Sequence, residues 1–177
     1  MLIPILKKHY LTTIAALLAM IAGGYSAYTR LPSLNRQQQL IQVITQLPTL
    51  HGTTLNQDQL LNKVLVINFW ASWCPSCVEE MPDLIALQHT FLHQNVQFIG
   101  ISIDSVDNVK HFSRKYAINY PLLLAESDGL TLAKTFGNTV QALPFTVVIS
   151  RDGNILLTQI GKIRKNEVHN LLLRQDL

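Results

Sequence analysis

Cys74 and Cys77 are the only two cysteines in the 177-residue chain, and they stand three apart in Cys74-Pro75-Ser76-Cys77. A small exported domain stapled by disulfides carries four or more cysteines at wide spacing. This pair therefore points to chemistry or metal binding rather than to architecture. The run just before it, residues 64–69 (VLVINF), reads as a buried strand, and the residues after it as a helix. Cys74 then sits at a helix N-terminus, where the first backbone N–H groups are unpaired and the macrodipole is positive. A thiolate is stabilised there, and its pKa falls below the free value of about 8.5. Pro75 suits the first helical position, because its missing N–H has no helical partner to lose. Cys77 follows one turn later and can attack a mixed disulfide between Cys74 and a substrate. Cys74 is the expected exposed nucleophile and Cys77 the more buried resolving thiol.

A lone Cys-x-x-Cys is also half of a zinc site. Two further ligands would be needed, and there is no third cysteine. His89 and His93 share a helical face but begin about 18 Å along the helix axis from Cys77, at 1.5 Å per residue. That is too far to share one tetrahedral ion, so both read as solvated surface residues. A peroxidase of the peroxiredoxin type places threonine three residues before its reactive cysteine, where this chain has Ala71. No metal and no organic cofactor is implied. A Cu(I)-handling module, with the pair holding soft copper, stays open as a different class of function.

The elements that must position the pair alternate along the chain. After the strand comes a helix over 75–92, with Val78, Met81, Leu84, Ile85, Phe91 and Leu92 on its apolar side and Pro82 set to kink it. A strand over 96–103 and a helix over 106–116, started by Ser105 or Asp104, follow. Residues 120–125 are extended, and 130–136 are helical up to Gly137. Strands over 145–150 and 155–160 are joined by Arg151-Asp152-Gly153-Asn154, a hairpin signal. A helix from about Lys165 to Arg174 closes the chain. This order implies an α/β fold with a mixed sheet covered by helices on both faces. Upstream, residues 48–55 look like a short hairpin around His51-Gly52. Residues 31–47 read as a partly helical connector that lies against the domain or, the simpler reading, spaces it from a membrane.

Charge explains the leader. The net charge is +3, yet Lys7, Lys8 and Arg30 precede every acidic residue, so the remainder is neutral. No electrostatic footprint for nucleic acid is present. Residues 10–28 approach the ~20 apolar residues of a membrane-spanning helix, with basic residues on the N-terminal side. That asymmetry keeps the N-terminus cytoplasmic and exports the rest. A cleaved signal peptide competes with an uncleaved anchor; the length of the stretch and the tyrosines at its ends favour the anchor. The chain thus divides into residues 1–30 as anchor or signal, 31–47 as connector and 48–177 as the folded domain.

Residues 66–77 (VINFWASWCPSC), followed by Glu79-Glu80-Met81-Pro82, resemble the TlpA/ResA-like branch of the thioredoxin superfamily. The resemblance covers about Pro48 to Leu177 and includes an inserted strand–helix unit around residues 98–104. It implies a thioredoxin-like fold, and a thiol–disulfide oxidoreductase at the bacterial inner membrane with its catalytic domain on the periplasmic side. It further implies reduction of disulfides in exported partner proteins, with electrons from a membrane electron-transfer partner. An exported oxidase or isomerase on the same fold is the alternative. By the same resemblance Glu80 exchanges protons with Cys77 or tunes it, although a first-turn acid that stabilises the helix is the simpler role and fits Glu79 better. Asn68 stands where thioredoxin has a buried acid. Pro144 matches the branch's cis-proline, beside which the Leu143 backbone pairs with an extended substrate. Trp73 and Pro75 belong to the substrate-facing surface, and Trp70 either joins them or packs in the core. Leu143-Pro144-Phe145 departs from the branch's usual pattern. Phe145 replaces the glutamate of dedicated cytochrome-maturation members, which argues against that pathway.

Overall fold

The computed structural model describes residues 36–175 and, of the leading segment, Met20 alone. The predicted anchor over 1–30 lies outside the described residues. Among those described, no helix is long and apolar enough to cross a membrane.

Among the described residues, five α-helices and five strands follow one another as α1 (Arg36–Ile44), β1 (Val64–Trp70), α2 (Pro75–Thr90), β2 (Val96–Ser102), α3 (Val106–Tyr116), β3 (Leu122–Leu124), α4 (Gly129–Thr135), β4 (Phe145–Ile149), β5 (Ile155–Ile160) and α5 (Lys165–Leu173). The strands form one sheet in the order β3-β2-β1-β4-β5. β1 runs parallel to β2 and antiparallel to β4, which pairs antiparallel with β5. All seven residues of β1 are buried, as a central strand covered on both faces requires. Its alternation sorts the core. Val64, Val66 and Trp70 face Met81, Leu84 and Leu87 of α2, Phe112 of α3 and Val168 of α5. Leu65, Ile67 and Phe69 pack with Ile41 and Ile44 of α1 and with Ala133 and Phe136 at α4. The mixed, doubly covered sheet expected from the sequence is the thioredoxin-like α/β fold, and β2–α3 is the strand–helix unit anticipated around residues 98–104.

Three expectations change. The helix in the connector is not a spacer: Ile41 and Ile44 are fully buried, because three-residue spacing puts both on one face. Gln37 goes in with them because its amide is satisfied, donating to the Lys63 and Ser150 carbonyls at 2.8 and 3.3 Å and accepting the Asn62 N–H at 3.2 Å. Residues 48–55 are not a two-stranded hairpin. They close a tight turn, Thr49 N–H to Thr53 O at 2.7 Å, and meet the sheet in a single bridge to Leu123. Finally, Leu92 is exposed and Leu87 takes its place in the core, since α2 ends at Thr90 and the helical phase stops with it.

Candidate active site

β1 ends at Trp70, a four-residue turn follows, and α2 opens on Pro75 with Cys74 as its N-cap. Cys74 has extended dihedrals, and its Sγ accepts the Cys77 N–H at 3.3 Å. Its carbonyl takes the Cys77 and Val78 N–H groups, each at 3.1 Å. The sulfur thus occupies the position a capping oxygen fills in other helices, which is where negative charge on Cys74 is best tolerated. Cys74 and Cys77 form a disulfide across a Cα–Cα distance of 5.3 Å. Cys74 keeps 7% of its surface accessible and Cys77 none. The order of exposure agrees with the nucleophile–resolver assignment, although Cys74 shows only a sliver of itself. Around it, Trp73 is 64% exposed, and Pro75 and Ser76 are exposed too. Trp70 is wholly buried and packs on Phe112 with ring centroids 4.8 Å apart. It is core, not surface.

Glu80 lies one turn beyond Cys77 on the sheet-facing side of α2 and is fully buried. Asn68 Nδ2 donates to its Oε1 at 2.7 Å, and the Ile163 N–H donates to its Oε2 at 2.8 Å. Burial pushes its pKa up to about 7, against the opposing pull of the Ile163 and Asn68 hydrogen bonds and the Lys162 charge. Glu79 is exposed, but no acidic residue falls in the first turn of α2, so neither Glu79 nor the buried Glu80 is placed to stabilise the helix N-terminus. Asn68 also donates to Thr146 Oγ1 at 3.0 Å, tying β1, β4 and α2 together beneath the cysteines.

Leu143–Pro144 is a cis peptide, as the resemblance implied. Phe145 pairs with Phe69, so Pro144 leads into β4 at the end of the sheet where β1 passes into the redox turn. Leu143 packs against the cluster that contains both cysteines. Phe145 is fully buried on the opposite face, so its substitution for glutamate removes a group rather than adding one to the site. His89 and His93 are exposed, and among the described residues no three His, Cys, Asp or Glu side chains gather to hold a metal.

One carboxylate at the site escaped the sequence reading, which took Asp104 only as a possible helix start. Its Oδ2 accepts the Ser72 N–H at 3.0 Å and the Ser72 hydroxyl at 2.5 Å. Its Oδ1 accepts Ser105 N–H at 2.7 Å and Asn108 Nδ2 at 2.8 Å. Burial alone would raise its pKa, but these hydrogen bonds, led by that of the Ser72 hydroxyl, hold it below the ordinary value. Asp104 anchors the turn two residues before Cys74. A sequence separation of 32 between Ser72 and Asp104 leaves no local pattern that announces the contact.

The "Thiol-disulfide oxidoreductase ResA" of Bacillus thuringiensis (strain Al Hakam) is 25% identical over 173 residues, covering 94% of this chain and 97% of that one. A thioredoxin-related protein from Neisseria meningitidis serogroup B superposes with a TM-score of 0.64 at 29% identity, over 72% of this chain and 96% of its own. A thiol:disulfide interchange protein, thioredoxin family protein from Chlorobium tepidum TLS gives 0.63 at 26% identity, over 71% and 88%. The model of the AhpC/TSA family matches residues 42–158, from α1 into β5. The chain belongs to the AhpC/TSA family, and with its Cys74–Cys77 couple on a thioredoxin-like fold it is a thiol–disulfide oxidoreductase of the TlpA/ResA-like kind.

Proposed function

We propose that this protein is a membrane-tethered reductase of disulfides in exported partner proteins, cycling Cys74 and Cys77 between dithiol and disulfide. The observation that carries the reading is the pair itself: a disulfide at the N-terminus of α2 with Glu80 buried one turn away. In the reduced protein the Cys74 thiolate attacks one sulfur of a partner disulfide. That S–S bond breaks, the first partner thiolate leaves, and a mixed disulfide forms. Glu80 takes the proton of Cys77, whose thiolate then attacks Cys74 Sγ. The second partner thiolate leaves and is protonated, and the Cys74–Cys77 bond seen here is formed. Two electrons have passed to the partner. A membrane electron-transfer partner, itself a dithiol, restores the pair by the same exchange in reverse.

Trp73 and Pro75 line the approach to Cys74, and the Leu143 backbone beside cis-Pro144 pairs with the incoming segment. The exposure of Trp73 supports the first assignment. For the second, no backbone hydrogen bond among the described residues engages Leu143. Anchoring at a bacterial inner membrane, catalytic domain outward, rests on Lys7, Lys8 and the apolar run over 10–28. The match to ResA covers 94% of this chain, which carries it into that leading segment. The direction is tested by the reduction potential of the full chain in detergent, equilibrated against a dithiol buffer. A value near or below about −220 mV, towards the roughly −270 mV of thioredoxin, supports a reductase. A value near about −120 mV, that of a strong oxidant, overturns it.

A further inference from the structure

Glu80 meets a short turn, residues 161–164, between β5 and α5. Gly161 takes a φ of +81°, open to glycine without strain, and its N–H donates to the Pro144 carbonyl at 2.8 Å. Two residues on, the Ile163 N–H donates to Glu80 Oε2 at 2.8 Å. That N–H belongs to the same planar, trans peptide group as the Lys162 carbonyl, so the two point in opposite directions. The carbonyl is held in its turn, because Gln159 Nε2 donates to it at 2.9 Å. One peptide group is thus gripped at both ends, by an amide side chain and by the buried carboxylate. Hydrogen bonds in such a chain polarise one another, and a carbonyl that accepts makes its N–H a better donor.

The sheet places Gln159 for this contact. Asn68 of β1, Thr146 of β4 and Gln159 of β5 are register partners in one row across three strands, and partners in register share a face. Asn68 Nδ2 serves both Thr146 Oγ1 and Glu80 Oε1, and Gln159, through the peptide, serves the other carboxylate oxygen. Keeping an amide here has a cost. Gln159 Oε1 is buried and has no hydrogen-bond partner among the described residues, which costs about 1–3 kcal/mol. An apolar side chain of the same length fills the space without it, so packing alone does not account for the glutamine.

We propose that Gln159 is a positioning residue for proton transfer: by holding the Lys162 carbonyl it fixes the Ile163 N–H on Glu80 Oε2 and keeps that carboxylate set as the proton acceptor for Cys77. The proposal rests on the reading above in which Glu80 takes the Cys77 proton. The charged and titratable groups about Glu80 are Cys77, Glu79 and Asp83 of α2, Lys162 of the turn, Lys165 of α5, and Tyr120. Lys162 pairs with Glu79 at 3.7 Å and Lys165 with Asp83 at 3.5 Å. Burial, and after it the Glu80 charge, keeps the Tyr120 hydroxyl protonated. Gln159 itself is neutral, so it acts on Glu80 through the peptide group rather than through a charge of its own.

The test uses the full chain in detergent, reduced with dithiothreitol, freed of it, and mixed with a glutathionylated peptide in single turnover from about pH 5 to pH 9. Release of the second thiol reports the step in which Cys77 loses its proton. In wild-type protein its rate is expected to rise through an inflection near pH 7 that Glu80→Gln lacks. Gln159→Met keeps the length of the side chain and removes its donors. It should move the inflection up by about half to one pH unit, because the ionised carboxylate loses support. The rate then falls about two- to fivefold at neutral pH and rejoins the wild type in alkali, a pattern that a general loosening of the fold does not give. The shift should persist in about 1 M salt, where screening shortens to about 3 Å. An unmoved inflection, a rate lowered by the same factor at every pH, or a shift that salt abolishes and that therefore comes from a displaced Lys162, overturns the role of Gln159 alone. Should Gln159→Met fail to fold, Gln159→Glu, which keeps the shape and has no donor once ionised, decides by the same criteria. Wild-type protein whose profile matches that of Glu80→Gln overturns the proton-acceptor reading and this proposal with it.

Discussion

Glu80 and Asp104 are both carboxylates within one element of the redox turn, and both accept several hydrogen bonds, yet their surroundings drive them apart. Glu80 sits on the inner side of α2 with two donors, Asn68 Nδ2 and Ile163 N–H. Burial wins, and its pKa rises to about 7. Asp104 lies two residues past the end of β2 with 8% of its surface exposed, and has four donors from Ser72, Ser105 and Asn108. The hydrogen bonds win, and its pKa falls below the ordinary value. The number of donors to the ionised form, weighed against desolvation, decides which group can trade a proton near neutrality and which can only hold its neighbours in place. Only Glu80 has a pKa in the range where a proton can be exchanged near neutrality.

Removing the anchor should have the largest effect. Asp104→Ala strips four donors of a charged acceptor, and chemical denaturation should show a loss of about 3–4 kcal/mol. The depressed pKa also gives a sign for pH: Asp104 contributes stability above its unfolded value of 3.8, and that contribution is lost as pH falls through the lower folded value. The acid arm of the stability curve should therefore be flatter in Asp104→Ala than in the wild type.

Glu80 should behave in the reverse sense. Its folded pKa of about 7 lies above the ordinary 4.5, so the folded state holds a proton the unfolded state has released. Stability falls as pH rises from 4.5 to about 7 and stays reduced above that, by on the order of 3 kcal/mol. Glu80→Gln cannot ionise, and should flatten that decline and gain about 2 kcal/mol at pH 8 after losing one of its two hydrogen bonds. Equal slopes in the two proteins between these limits would break the contrast between the carboxylates. Ser72→Ala removes only the hydroxyl that leads Asp104's hydrogen bonds, and should cost about 1.5 kcal/mol. Smallest of all, Lys162→Ala removes a charge that lowers the Glu80 pKa. The Glu80 inflection should move upward slightly, and wild-type protein in about 1 M salt should move the same way as screening shortens to about 3 Å.

How far the sequence carried this picture depends on how local each contact is. Cys74, Pro75, Cys77 and Glu80 fall within two turns of one helix, so spacing alone sets their geometry once β1 and α2 are recognised. The core strands were legible because β1 is buried on both faces and reads as an unbroken apolar run. What could not be read was long-range and polar. Glu80 accepts the Ile163 N–H from 83 residues away, and Asp104 meets Ser72 across 32. Gln37 entered the core because the Lys63 and Ser150 carbonyls were waiting for its amide; a glutamine-rich stretch shows no such partner in sequence. Asn138 is the same case, since only the folded loop reveals that its amide closes on Ala142.

The most direct test of the contrast is the pH dependence of turnover with a glutathionylated peptide, measured from about pH 5 to pH 9 in wild-type protein and Glu80→Gln. The wild type should show an inflection near pH 7, where Glu80 changes from proton holder to proton acceptor for Cys77. Glu80→Gln should lose that inflection and turn over at least about tenfold more slowly at neutral pH, leaving only the ionisation of the thiols. Superimposable profiles would contradict the account and reduce Glu80 to a buried structural acid.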